Sequence, residues 1–113
     1  MLLQCKPDDI MLVESIVENI VRLNAMHTRV CGTELQVEPS LFPDYKRFLS
    51  VRKRHVEGDF RWSDDEKKAV RAVAEWTRWV LYALREQVTV TQSKDGTWTA
   101  PAATPPEPIE WKD

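Results

Sequence analysis

The sequence predicts a mostly α-helical fold: a small bundle of two long amphipathic helices and one shorter helix, with a C-terminal β-hairpin and an extended proline-rich tail. Three observations predict it. Residues 7–31 and 63–87 repeat apolar side chains at three- and four-residue spacing, with no glycine or proline in either run after Pro7. Helix-start residues open both runs. After residue 87 the period changes to a strand-like alternation, and from residue 101 prolines crowd the chain.

The first helix begins at Pro7, whose missing amide suits the first helical position, with Asp8 and Asp9 in the positive first turn. Gly32 is a good left-handed terminator. One track runs Ile10, Val13, Val17, Ile20, Asn24, His27 and Cys31, and a second, Val13, Ile16, Ile20, Leu23, His27 and Val30, lies beside it. Two overlapping tracks require a wide buried face. Asn24 and His27 resemble the polar layers that set register between helices. The face is therefore either plain core or a homodimer seam through Ile10, Val13, Val17, Ile20, Asn24 and His27.

Residues 33–38 form an extended link, and Pro39 and Pro43 bracket a turn. A shorter helix then runs from Pro43 to about Gly58, with Tyr45, Phe48, Leu49, Val51 and Val56 as its apolar set. Phe60 and Trp62 are placed to pack beneath the start of the next helix.

That next helix is the best-determined stretch. Ser63 and Glu66 make a capping box, in which each side chain bonds the other residue's amide. Asp64, Asp65 and Glu66 complement the helix dipole. The apolar arc, from Trp79 through Trp76, Val80 and Val73 to Leu81 and Ala74, spans roughly 220°, about twice what a one-sided surface helix needs. The helix must touch structure on two sides. Either two elements of the chain cover it, or an edge holding Trp76, Trp79, Tyr82 and Ala83 faces a partner, as tryptophan-rich interface anchors do.

Beyond it, Val88 to Thr91 alternates, and Lys94–Gly96 forms a three-residue loop that pairs Ser93 with Thr97. This register puts Val88, Val90, Trp98 and Ala100 on one face, which must lean on the helices. The organisation is one domain over 1–100 and a tail over 101–113. Trp111 in that tail is either incidental or a docking residue.

The 113 residues carry a net charge of −2, with 42% hydrophobic and 30% charged residues and five tryptophans. These values are ordinary for a soluble domain, apart from the tryptophans. No basic leader with a long apolar run opens the chain, and no apolar run approaches a membrane span. A cytoplasmic protein with two reduced cysteines is expected.

Catalytic and metal chemistry find little support. His27 and Cys31 have a one-turn spacing that can hold an ion, but Cys5 would lie more than about 30 Å from His27 along a continuous helix. No metal or cofactor is expected. No nucleophile sits in a glycine-flanked elbow, and the three glycines form no phosphate loop. The acidic pairs are first-turn helix charges, so an enzyme is not expected.

Charge is segregated: residues 1–44 carry three basic and seven acidic groups, residues 45–61 six basic and two acidic. Lys46, Arg47, Arg52, Lys53 and Arg54 cluster on the short helix ahead of a turn and another helix. In a helix-turn-helix the second helix presents its N-terminus to the groove. Here that end carries Asp64, Asp65 and Glu66, so nucleic acid is the less favoured ligand. An acidic protein surface suits the basic cluster better.

Two long amphipathic helices (7–31 and 63–87), a short chain and absent catalytic residues make the sequence similar in general form to the small all-helical anti-activators of bacterial quorum sensing. That resemblance implies a regulator that sequesters a transcription factor by protein–protein binding. From the residues themselves, Trp76, Trp79, Tyr82 and Ala83 would supply affinity and the basic cluster Lys46, Arg47, Arg52, Lys53 and Arg54 would steer encounter, and a homodimer is expected. The alternatives are an obligate homo-oligomeric structural or assembly protein and a nucleic-acid binder using residues 46–54.

Overall fold

The computed structural model describes residues 3–4, 6–85, 91–99 and 111. Three helices dominate: α1 (Pro7–Cys31), α2 (Pro43–Val56) and α3 (Asp64–Arg85). Two antiparallel pairs of two-residue strands accompany them. β1 (Leu3–Gln4) pairs with β2 (Arg61–Trp62), and β3 (Thr91–Gln92) pairs with β4 (Trp98–Thr99). No described helix is long and apolar enough to cross a membrane.

α3 is the centre of the bundle. α1 and α2 each pack along it, while their own backbones approach each other far less. The wide apolar arc is covered from both sides by the chain itself. Nine α3 residues are buried, from Ala69 and Val70 through Val73 and Trp76 to Val80 and Leu84. The core has two halves. One joins Val13 and Ile16 of α1, Phe48 and Val51 of α2, and Val70 and Val73 of α3, with Trp62 below. The other joins Leu23, Leu35, Trp76, Val80, Ala83 and Leu84. Burying each such side chain contributes about 1.5–3 kcal/mol.

The helix ends follow local chemistry. Pro7 opens α1 and Gly32 closes it, its amide bonding the Thr28 carbonyl at 2.9 Å. α2 ends where the Gly58 amide bonds the His55 carbonyl (3.0 Å) and the Asp59 amide bonds the Arg54 carbonyl (2.9 Å). This double closure needs a left-handed residue, and Gly58 supplies it at φ 84°. A 3-10 turn at Pro39–Leu41 carries the chain into α2. The loop between β3 and β4 lies against that turn. A Cβ on Gly96 would collide with the Leu41 carbonyl, so glycine is required there on steric as well as conformational grounds.

The Ser63 amide donates to Glu66 Oε1 at 2.9 Å, and the Glu66 amide donates to Ser63 Oγ at 3.1 Å. The other carboxylate oxygen of Glu66 accepts from Arg54 at 2.6 Å. Arg54 also donates to the Arg61 carbonyl at 2.9 Å. One arginine from the end of α2 thus joins the cap of α3 and the strand β2 between them. This assigns Arg54 to the fold rather than to a surface cluster.

The sequence reads residues 58–62 as a turn into α3, whereas Arg61 and Trp62 form a strand. Leu3 and Gln4 recruit Trp62 and Arg61 into a ladder, an arrangement that depends on a partner some sixty positions away. For the C-terminal part, Gln92 pairs with Trp98, and the Ser93 amide bonds the Thr97 carbonyl at 2.8 Å. The longer expected hairpin with Val88, Val90 and Ala100 on one face falls on residues outside the described set. So does the proline-rich tail, apart from Trp111.

Burial pulls the Glu66 carboxyl upward, but the bonds from Arg54 and the Ser63 amide, with the Arg54 charge, outweigh it and hold Glu66 below its ordinary value. A carboxyl depressed on folding stabilises the fold above its unfolded value, near 4.5, and that contribution is lost as pH falls through the lower folded value. Wild type should therefore lose stability between pH 5 and 3 (approximate bounds) more steeply than Glu66→Gln, in urea melts at several pH values. Ser63→Ala should cost about 1 kcal/mol at neutral pH. An unchanged acid slope in Glu66→Gln would refute the network.

Candidate functional site

Three surfaces follow from the sequence: the aromatic edge of α3, the apolar track of α1 and the basic cluster of α2. The structure divides each of them.

On α3, Trp76 and Ala83 are core. Trp76 is 8% exposed and Ala83 is fully buried. The Trp76 ring sits 5.0 Å from that of Trp98, 5.4 Å from Phe42 and 6.0 Å from Tyr45. Phe42 in turn stacks on Tyr45 at 5.9 Å and meets the edge of Trp98 at 6.3 Å. These rings seal the junction of α2, α3 and β4. Such tilted and edge-on pairs add about 0.5–1.5 kcal/mol each beyond area burial. The expectation that Trp76 and Ala83 face a partner is corrected accordingly: the chain supplies its own cover. Trp79 is half-buried, and Tyr82, at 36% exposure, is the accessible member of the set.

Phe42 is the residue sequence reasoning missed. It precedes Pro43 at the start of α2 and lies on no periodic track, so no pattern marked it as a hub. Burial raises the Tyr45 hydroxyl above its ordinary value, against the opposing charge of Arg52.

On α1, Val13 and His27 are buried within the chain, so neither forms an open seam. His27 Nδ1 meets the Thr33 carbonyl, which fixes that nitrogen as the donor. Ile10, Val17, Ile20 and Asn24 are half-buried. Beside them Met11 and Val21 are 65% and 67% exposed. Among the described residues no group of three His, Cys, Asp or Glu side chains converges to hold a metal. An open groove of about 630 Å³ lies between His27 and Cys31 at the end of α1, the link through Leu35 and Val37, and Lys94.

On α2 the five basic residues do not share one face. Arg54 is committed to Glu66 and β2, and Arg47 lies 3.8 Å from Asp44. Lys46, Arg52 and Lys53 are exposed. Among the described residues none of these three has an acidic partner. Lys46 and Lys53 are seven positions apart, so they lie on one side of the helix with Leu49 and Val56 between and beyond them. Val56 is 79% exposed. The result is a cationic face with an apolar strip.

Trp76→Ala should cost about 3–5 kcal/mol by urea denaturation, as for a large core side chain. Tyr82→Ala should stay within about 0.5 kcal/mol of wild type. Similar small losses for both would return Trp76 to the surface. No family model, curated protein or solved structure matches the chain.

Proposed function

We propose that the chain is a small non-enzymatic regulator that binds and sequesters a larger partner, such as a transcription regulator, in the manner of the anti-activators it resembles. The observation that carries this reading is the outward face of α2. Lys46, Leu49, Lys53 and Val56 make a ridge that alternates cations with apolar groups, and among the described residues neither lysine forms an ion pair. Like charges on one helix face repel one another, and a complementary acidic surface relieves that repulsion. The partner chemistry that fits is an acidic surface with an apolar groove. Arg52 flanks the ridge, while Tyr82 on α3 offers a second accessible aromatic. Charge complementarity of this kind steers encounter, and the apolar strip supplies contact area. The reading includes a cytoplasmic setting and a C-terminal segment that completes its hairpin through residues 88–100.

The homo-oligomer reading also has one supporting observation. Ile10, Val17 and Asn24 recur at seven-residue spacing on α1, half-buried, with the exposed Met11 and Val21 alongside. A polar Asn in such a seam sets register between copies.

The test pairs affinity capture with sedimentation. Wild type should retain a discrete partner, and Lys46→Glu/Lys53→Glu should lower its capture at least about tenfold with an unchanged melting temperature. Raising salt from about 50 to 500 mM should weaken capture as screening increases. Equal capture by the double variant would remove α2 from the interface. A stable homodimer lost in Val17→Glu/Val21→Glu, with no partner captured, would establish the second reading in place of the first.

A further inference from the structure

Trp111 lies on the surface of α3, and its contacts are unlike those of the other tryptophans. Its indole N–H donates to Glu75 Oε1 at 3.0 Å. The Arg71 guanidinium carbon lies 5.0 Å from the centroid of its ring. Its apolar body packs against the edge of the core half that contains Val70, Val73 and Ala74. The indole nitrogens of Trp62, Trp76 and Trp98 are buried without a hydrogen-bond partner. Among the described residues, Trp111 is thus the tryptophan whose N–H has a protein acceptor. A ring held by apolar contact alone would not need a carboxylate at its nitrogen and a guanidinium at its ring.

Arg71 and Glu75 are four positions apart on one helix face, so one turn presents both groups to the same ring. The carboxylate reads the indole N–H, the cation reads the negative ring face, and the edge of the core half takes the apolar body of the ring. Phenylalanine would lose the first of these contacts. We infer that Arg71, Ala74 and Glu75 form a tryptophan-docking site on α3, and that its ligand is this chain's own C-terminal segment carrying Trp111. The site takes a peptide with an indole side chain, and Trp111 is its resident occupant. Trp111 is itself partly exposed. Ten residues separate it from Ala100, four of them proline, in Pro101, Pro105, Pro106 and Pro108. The tether makes docking intramolecular, so a modest intrinsic affinity suffices to fill the site. The site is distinct from the cationic face of α2 and does not depend on the function proposed for that face.

The experiment uses the full chain with Trp111→Ala, which vacates the site, and a fluorescein-labelled peptide of residues 101–113. Fluorescence anisotropy should show saturable binding of the peptide to this variant. Wild type, with its own tail in place, should bind the peptide at least about tenfold more weakly, because the tethered tail competes at high effective concentration. The peptide carrying Trp111→Phe should bind Trp111→Ala protein several-fold more weakly, and adding Glu75→Gln to the protein should remove that preference for indole. Equal binding to wild type and to Trp111→Ala would overturn the inference. So would equal binding of the tryptophan, phenylalanine and alanine peptides. Circular dichroism of each variant identifies any loss of helix, and the phenylalanine peptide tests the site without changing the protein.

Discussion

The rest of the structure depends on the width of the apolar arc of α3. A helix with nine buried residues cannot lie on a surface. It needs cover on two sides, and the described residues hold two other α-helices to provide it. α1 takes one side and α2 the other, so that α3 becomes the common element of both core halves. The links follow from this. Residues 33–38 must carry the chain from the end of α1 towards α2, and Leu35 is buried on the way. The α2–α3 connection must reverse within a few residues, which sets a left-handed glycine at 58.

The reversal is held by electrostatics as well as backbone geometry. A capping box satisfies two amides at the start of α3 and leaves one Glu66 oxygen for a further donor. Arg54 takes that oxygen while bonding the Arg61 carbonyl, and its side chain is largely covered. A surface pair of this kind contributes little, but one shielded from water and shared among several partners contributes more. Arg54 thereby fixes α2, β2 and α3 together. With Arg54 taken into the fold and Arg47 beside Asp44, the cationic face is narrower than five basic residues imply.

What the sequence made legible was local. The bounds of α1, the start of α2 and the Ser63–Glu66 box are set by residues within four positions of one another, and the period of α3 predicted cover on both sides. What it left illegible was set by distant partners. Nothing near Phe42 announces that it meets Tyr45, Trp76 and Trp98, because those rings are brought together by three separate elements. Trp76 and Trp79 read alike on a helical wheel, and a wheel shows direction but not what lies there. Phe42, Tyr45 and Trp98 occupy the side of Trp76, which makes it core and leaves Tyr82 as the accessible aromatic. The ladder between Leu3 and Trp62 was unreadable for the same reason. Two residues have no period, and their pairing joins two segments that α1 and α2 separate in the sequence.

The division of labour among the aromatic residues has a physical logic. Trp62, Trp76 and Trp98 give up an indole hydrogen bond when buried, a cost of about 1–3 kcal/mol each. The fold tolerates that cost because their rings fill the space between helices that aliphatic side chains would leave open. Trp111 keeps its hydrogen bond and remains partly exposed, so its removal uncovers a carboxylate and a guanidinium that water can solvate. Exchange at that position is therefore far less costly than exchange at Trp76. A small bundle whose core consumes most of its aromatic residues has few left for recognition. The proposed cationic ridge on α2 and the proposed indole site on α3 both lie on helices that contribute residues to the core. Outward side chains on such helices are held in place by packing they do not themselves supply, so exchange at either proposed surface would leave the fold beneath undisturbed.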